Sequence, residues 1–111
     1  METIKSSTEI SDIFAHGKRY TASSAMLLVQ RKAQHDQVGR VAFIAGKKLG
    51  NAVWRNRAKR RLRAVCRDLG GPWAGYDVIF IARSSTTKDS YSKVLCACEK
   101  LVAKSLSECD V

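Results

Sequence analysis

The spacing of apolar residues divides the chain into a short series of elements. In residues 7–16, STEISDIFAH, the stripe Ile10, Ile13 and Phe14 has helical spacing, Ser7 or Thr8 can cap it, and Gly17 can end it. A strand centred on residues 26–30 follows, then a polar turn through His35, Asp36 and Gln37 with Gly39, and a second strand, RVAFIA, over residues 40–45. Strands so close in sequence are expected to pair as an antiparallel hairpin. Asn51 is a good cap for a long helix that runs to about Leu69 and stops at Gly70, Gly71 and Pro72. The segment YDVIFIARS, beginning at Tyr76, is almost continuously β-branched and aromatic, which predicts a strand buried on both faces at the centre of a sheet. Residues 84–88 read as a loop. Residues 90–106 read as a second long helix with Tyr91, Val94, Leu95, Cys98, Leu101 and Val102 on its apolar stripe. The order α-β-β-α-β-α predicts an α+β fold, a small mixed sheet covered by helices, in one domain over residues 1–111.

On a helical wheel, residues 51–69 separate into distinct surfaces. Trp54, Ala58, Leu62, Val65, Cys66 and Leu69 share the side that must meet a core. Asn56, Lys59, Arg60, Arg63 and Arg67 succeed one another along an adjoining side, Arg57 and Arg61 take the other flank, and Arg55 sits beside the core face in the first turn. The helix therefore carries a row of hydrogen-bond donors rather than a cationic sleeve.

Charge gives that row its meaning. Residues 47–67, KKLGNAVWRNRAKRRLRAVCR, hold nine basic residues and no acid, and they begin with Lys47 and Lys48 between Gly46 and Gly50. The whole chain has 20 Lys+Arg against 10 Asp+Glu, so outside this window eleven basic residues face ten acidic ones and the net charge of +10 is local. A solvated helix face normally interleaves Glu with Lys or Arg to gain pairing energy. Here nothing does so, and the self-repulsion calls for a polyanion. Gly46 and Gly50 would allow close approach of backbone to phosphate, although an ordinary strand-to-helix turn has the same pattern.

A chain of 111 residues with 45% hydrophobic residues and one Pro can bury a single core without disulfides or metals. Cys66, Cys96, Cys98 and Cys109 show no metal-ligand spacing, and His16 and His35 stand far from them, so the cysteines read as free, mostly buried thiols. No apolar run approaches a bilayer span, and the first residues lack the pattern of a secretory signal. The expectation is a cytoplasmic protein with no membrane partner. Of the ten acids none forms a recognisable metal-binding motif, and no phosphate-cradling loop or Cys/His nucleophile pair is present. What is present suits a nucleic-acid backbone: arginine forks, lysine point charges, and Asn56, which can both donate and accept. A general structured-RNA or ribosome-associated binding protein satisfies these features, and a self-sufficient nuclease with scattered carboxylates does so poorly.

Lys47, Lys48, Gly50, Ala52, Val53, Arg55-Asn56-Arg57, Lys59-Arg60 and Arg63 resemble the KKxGxAVxRNRxKRxxR signature of the bacterial ribonuclease P protein component. The layout is similar over nearly the full chain, including Phe14, His16 and Gly17 at the end of the first helix. The resemblance implies a small basic subunit that binds a large catalytic RNA, with no obligate protein partner evident. The RNA, with Mg²⁺ at its own active site, removes the 5′ leader from precursor tRNA, and no catalytic residue is expected in the protein. It implies RNA contacts at Lys47, Lys48, Arg55, Asn56, Arg57, Lys59, Arg60 and Arg63, and the donor row on the helical wheel adds Arg67. It also implies a ribosomal protein S5 domain 2-like fold with a left-handed strand–helix–strand crossover, against the usual right-handed preference.

The family's cleft for the single-stranded leader carries two aromatics on the first helix and one on the first long strand. The corresponding positions here are Ile10, Phe14 and Leu28, of which only Phe14 is aromatic. Leader contact is therefore expected to depend less on base stacking and more on van der Waals packing and nearby charge.

Overall fold

A computed structural model of the protein describes residues 3, 4, 6–31 and 38–109; the polar turn expected at His35, Asp36 and Gln37 lies outside the described residues. Helix α1 (Ser7–His16) is followed by strands β1 (Lys18–Thr21), β2 (Ala25–Arg31) and β3 (Arg40–Ile44). Then come a 3₁₀ turn (Lys47–Leu49), helix α2 (Ala52–Asp68), strand β4 (Tyr76–Ala82), the short helix α3 (Ser85–Lys88) and helix α4 (Tyr91–Cys109). The single sheet has the order β1-β2-β4-β3. β2 pairs antiparallel with both β1 and β4, whereas β3 runs parallel to β4. The β3-α2-β4 segment is thus the crossover unit of the sheet, and the architecture is the expected α+β one.

The expected hairpin between residues 26–30 and 40–45 does not form. β4 lies between the two strands, because its nearly continuous apolar run can be satisfied only with neighbours on both edges and cover on both faces. The hairpin the chain does make is β1 with β2, across the link at residues 22–24. β1 escaped the apolar pattern because only Tyr20 of its four residues is buried. Two local expectations also change. The α1 cap is Ser6, whose Oγ accepts from the Glu9 N–H at 3.4 Å, rather than Ser7 or Thr8. Part of the expected loop at residues 84–88 is the α3 turn.

Alternation along the strands builds two cores. On one face Leu27, Val29, Val41, Val78 and Phe80 meet Ala58, Leu62, Val65 and Cys66 of α2 and Val94, Cys98, Leu101 and Val102 of α4. On the other face a smaller cluster joins Leu28, Ala42 and Ile79 to Ile13 of α1 and to Ile4. The stripes read for the two long helices are those found buried, with Trp54, Leu69, Tyr91 and Leu95 at their half-buried rims, whereas of the first helix's stripe only Ile13 is buried. Cys98 is buried and Cys96 exposed, as their two-residue helical offset requires, and both are free thiols, as is buried Cys66. No helix among the described residues is long and apolar enough to cross a membrane.

Candidate RNA interface

Helix α2 is held rigidly at its first turn. The Asn51 side chain accepts from the Trp54 N–H at 2.9 Å, and the Trp54 indole N–H donates to Thr87 Oγ1 at 2.8 Å. A Cβ at Gly50 would stand 2.9 Å from the Trp54 side chain, so packing against that ring accounts for this glycine. At the far end the Tyr91 hydroxyl donates to Asp68 Oδ2, and burial followed by that hydrogen bond pushes its pKa up to about 12. Arg61 is consumed by the fold: its Nη1 donates to the carbonyl oxygens of Thr86, at 2.8 Å, and Asp89.

The remaining donors do not form one row but two surfaces. Asn56, Arg57 and Arg60 border a shallow depression with Val53, an apolar side chain that is 69% exposed. Lys59 and Arg63 turn instead toward Ile10, Ala42, Phe43 and Ile44, at the edge of the sheet face that α1 covers. Arg63 lies over the Phe43 ring at 5.4 Å from its centroid, a cation–π contact that fixes the guanidinium at this border. Arg67 continues the wall with Arg63, Thr3, Gly71 and Pro72. Arg55 is half-buried, and its Nε is enclosed without a hydrogen-bond partner among the described residues. Lys47 and Lys48 are exposed on the 3₁₀ turn that precedes the helix.

The residues expected to line a leader cleft fare unequally, and Phe14 does not border the depression that Ile10 shares with Lys59 and Arg63. Phe14 is 40% exposed on α1 and Ile10 is half-buried, but Leu28 is only 1% exposed beneath α1 and Ile4. Beside them lies a feature the hydrophobic pattern does not announce. Arg40 Nε and Nη2 donate to Asp77 Oδ1 and Oδ2 at 3.3 and 3.0 Å, while Nη1 pairs with Glu9. One guanidinium thereby ties β3, β4 and α1 together. The hydrogen bond to Asp77 raises the Arg40 pKa, burial partly opposes this, and Glu9 adds to it. Asp77, an acid within an otherwise apolar strand, is the sequence signal that marked this place. No group of three or more His, Cys, Asp or Glu side chains among the described residues is arranged to hold a metal ion.

The family model for ribonuclease P matches residues 1–106. The chain belongs to the ribonuclease P protein family. A ribonuclease P protein component of Natranaerobius thermophilus is 38% identical over 93 residues, covering 82% of this chain and 78% of that one. One of Ruegeria pomeroyi is 44% identical over 78 residues, covering 66% of this chain and 61% of its own length. In fold, the ribonuclease P protein of Staphylococcus aureus superposes with a TM-score of 0.78 at 23% identity, covering 93% and 94% of the two chains. That of Thermotoga maritima gives 0.76 at 22% identity, covering 91% and 94%. Membership of this family accounts for the acid-free run of residues 47–67, since the catalytic subunit is RNA and the protein contributes binding.

Proposed function

We propose that α2 seats this protein on the catalytic RNA through Asn56, Arg57 and Arg60, with Lys47, Lys48 and Arg55 at its leading end. Lys59, Arg63 and Arg67 face the groove that receives the 5′ leader. The chain is the protein subunit of ribonuclease P, binding the RNA subunit and precursor tRNA and assisting maturation of the tRNA 5′ end. The observation that carries the residue assignment is the absence of any ion pair to an α2 cation among the described residues, although the window holds nine basic residues. Among the described residues only Arg61 and Arg63 have partners that compensate them, two carbonyls and an aromatic ring. Apart from the enclosed Arg55 Nε, the others keep their donors available for phosphate and ribose.

In the groove, Ile10 offers apolar contact to unpaired bases, the exposed Phe14 one turn further along α1 extends it, and Lys59 and Arg63 neutralise the connecting phosphates. Mg²⁺ belongs to the RNA active site in this reading, and no step passes through a protein ligand. The cytoplasm, where tRNA precursors are made in bacteria, is the compartment it requires. The test is cleavage of precursor tRNA by the catalytic RNA at low Mg²⁺ with and without the protein. A gain in rate with the wild type, reduced by Arg57→Ala and Arg60→Ala, is expected. No gain, with equal affinity for unrelated structured RNAs, would favour a general RNA-binding role instead.

A further inference from the structure

Thr3 forms a parallel bridge with Val41, and the Ile4 N–H donates to the Val41 carbonyl at 2.8 Å, so these residues lie along the outer edge of β3. Ile4 is 5% exposed and packs into the cluster of Ile13, Leu28, Ala42 and Ile79. Its side chain occupies the apolar floor between α1 and the sheet. Leu28 and Ile79, at 1% and 0% exposure, present no surface to an RNA base beneath Ile4 and the α1 residue Ile13.

Thr3 also stands between two depressions. One, of about 250 Å³, is lined by Ile10, Ala42, Phe43, Ile44, Lys59 and Arg63 with Thr3 and Ile4; the other, of about 650 Å³, by Arg63, Arg67, Gly71 and Pro72 with Thr3. Arg63 is common to both. Lifting Thr3 and Ile4 would join them into one trough with Ile10, Leu28, Ala42 and Ile44 as its floor and Lys59, Arg63 and Arg67 along one wall. An apolar floor beside a line of cations matches the bases and phosphates of an unpaired strand. Among the described residues a single bridge and a single backbone hydrogen bond hold the segment to β3, an attachment far weaker than that of a paired strand.

We propose that Thr3 and Ile4 form a strap that fills the groove between α1 and the sheet in the free protein and is displaced from it by single-stranded RNA. The inference rests on the leader-groove reading and adds to it a competition within the chain. The leader gains the floor only by removing Ile4, so affinity for unpaired RNA is set partly by how firmly residue 4 is seated.

The experiment follows backbone amide exchange of the full-length wild-type protein by NMR, with and without saturating unstructured oligouridine. Exchange of the Ile4 amide should accelerate about tenfold or more when the RNA binds, while buried β4 amides stay protected. Ile4→Ser should tighten oligouridine binding by about tenfold, the scale set by burying one aliphatic side chain. Unchanged or slowed exchange of the Ile4 amide at saturation would overturn the proposal. Ile10→Gln separates the two ways of failing. If it weakens oligouridine binding while the Ile4 amide stays protected, the strap alone is refuted. If it leaves binding unchanged, the RNA does not use the groove, and the leader-groove reading falls together with the strap.

Discussion

Replacing Arg40 by Met removes a side chain on β3 that is joined by charge to Glu9 of α1 and Asp77 of β4. The Asp77 side chain is 11% exposed and that of Arg40 28%, which places the pair between a buried ion pair and a surface one. Breaking a fully buried pair costs about 3–5 kcal/mol, and an exposed pair contributes about 0–1 kcal/mol. With Asp77 nearly enclosed and the Arg40 fork partly wet, a loss of about 2 kcal/mol is expected, most of it from leaving the Asp77 carboxylate without its bidentate donor. Glu9 is 46% exposed, so Glu9→Gln should cost no more than about 0.5 kcal/mol.

Urea unfolding followed by circular dichroism measures both losses, and for a domain of this size 2 kcal/mol corresponds to roughly 8–10 °C in Tm. Arg40→Lys keeps the charge but not the fork, and should recover less than half of the deficit. Because the pairing raises the pKa of an already basic guanidinium, Arg40 remains charged throughout any practical pH range. A loss below about 0.5 kcal/mol for Arg40→Met would refute the reasoning, since the triad would then be an incidental surface contact.

Other substitutions separate binding from folding. Arg60→Ala and Arg63→Ala should each lower the salt slope of RNA binding by about one charge, measured as log affinity against log salt. Arg61→Ala should leave that slope unchanged and cost about 1–3 kcal/mol of stability, because its guanidinium serves the Thr86 and Asp89 carbonyls. Leu62→Ala, at 0% exposure in the α2 core stripe, should cost about 2–5 kcal/mol in urea unfolding with the slope intact. Burial pushes the Cys66 and Cys98 thiols up to about 11 from 9.0, so Cys96 should react with a thiol reagent before either of them. Since the folded pKa values are raised, the unfolded chain loses these protons first. Their contribution is full below about pH 9 and is lost as pH rises toward 11, and Cys66→Ala with Cys98→Ala should flatten that part of the stability profile.

The legible parts of the fold were those where one residue's pattern sufficed. Asn51 as a cap, Ala58, Leu62, Val65 and Cys66 as a core stripe, and β4 as a strand buried on both faces follow from periodicity alone. Pairing was less legible, because periodicity identifies strands but not neighbours. β3 is as compatible with β2 as with β4, and the choice is made by β4's need for two partners. In the same way the wheel placed Lys59, Arg60 and Arg63 on one flank, but it could not show that α1 and β3 would lie beside Lys59 and Arg63 and leave Arg60 outside. Ile4 was invisible because a lone apolar residue ahead of a helix has no period to read.

The charge on α2 remains the constraint that the fold does not resolve. A helix with arginines at positions 55, 57, 60, 61, 63 and 67 gains no ion pair among the described residues; the α3 turn supplies carbonyls to Arg61, and β3 supplies the Phe43 ring to Arg63. The repulsion among the rest opposes folding at low salt and is relieved when phosphates approach. If RNA binds these side chains as proposed, binding and folding are coupled through one set of groups, because any ligand that neutralises them stabilises the native state by mass action. Thermal unfolding should accordingly shift upward with structured RNA more than with an equal concentration of chloride salt, and Arg60→Ala should raise the Tm of the free protein while reducing that shift. A variant that lowered the free Tm instead would show that Arg60 makes a folding contact, and would move it from the binding surface to the scaffold.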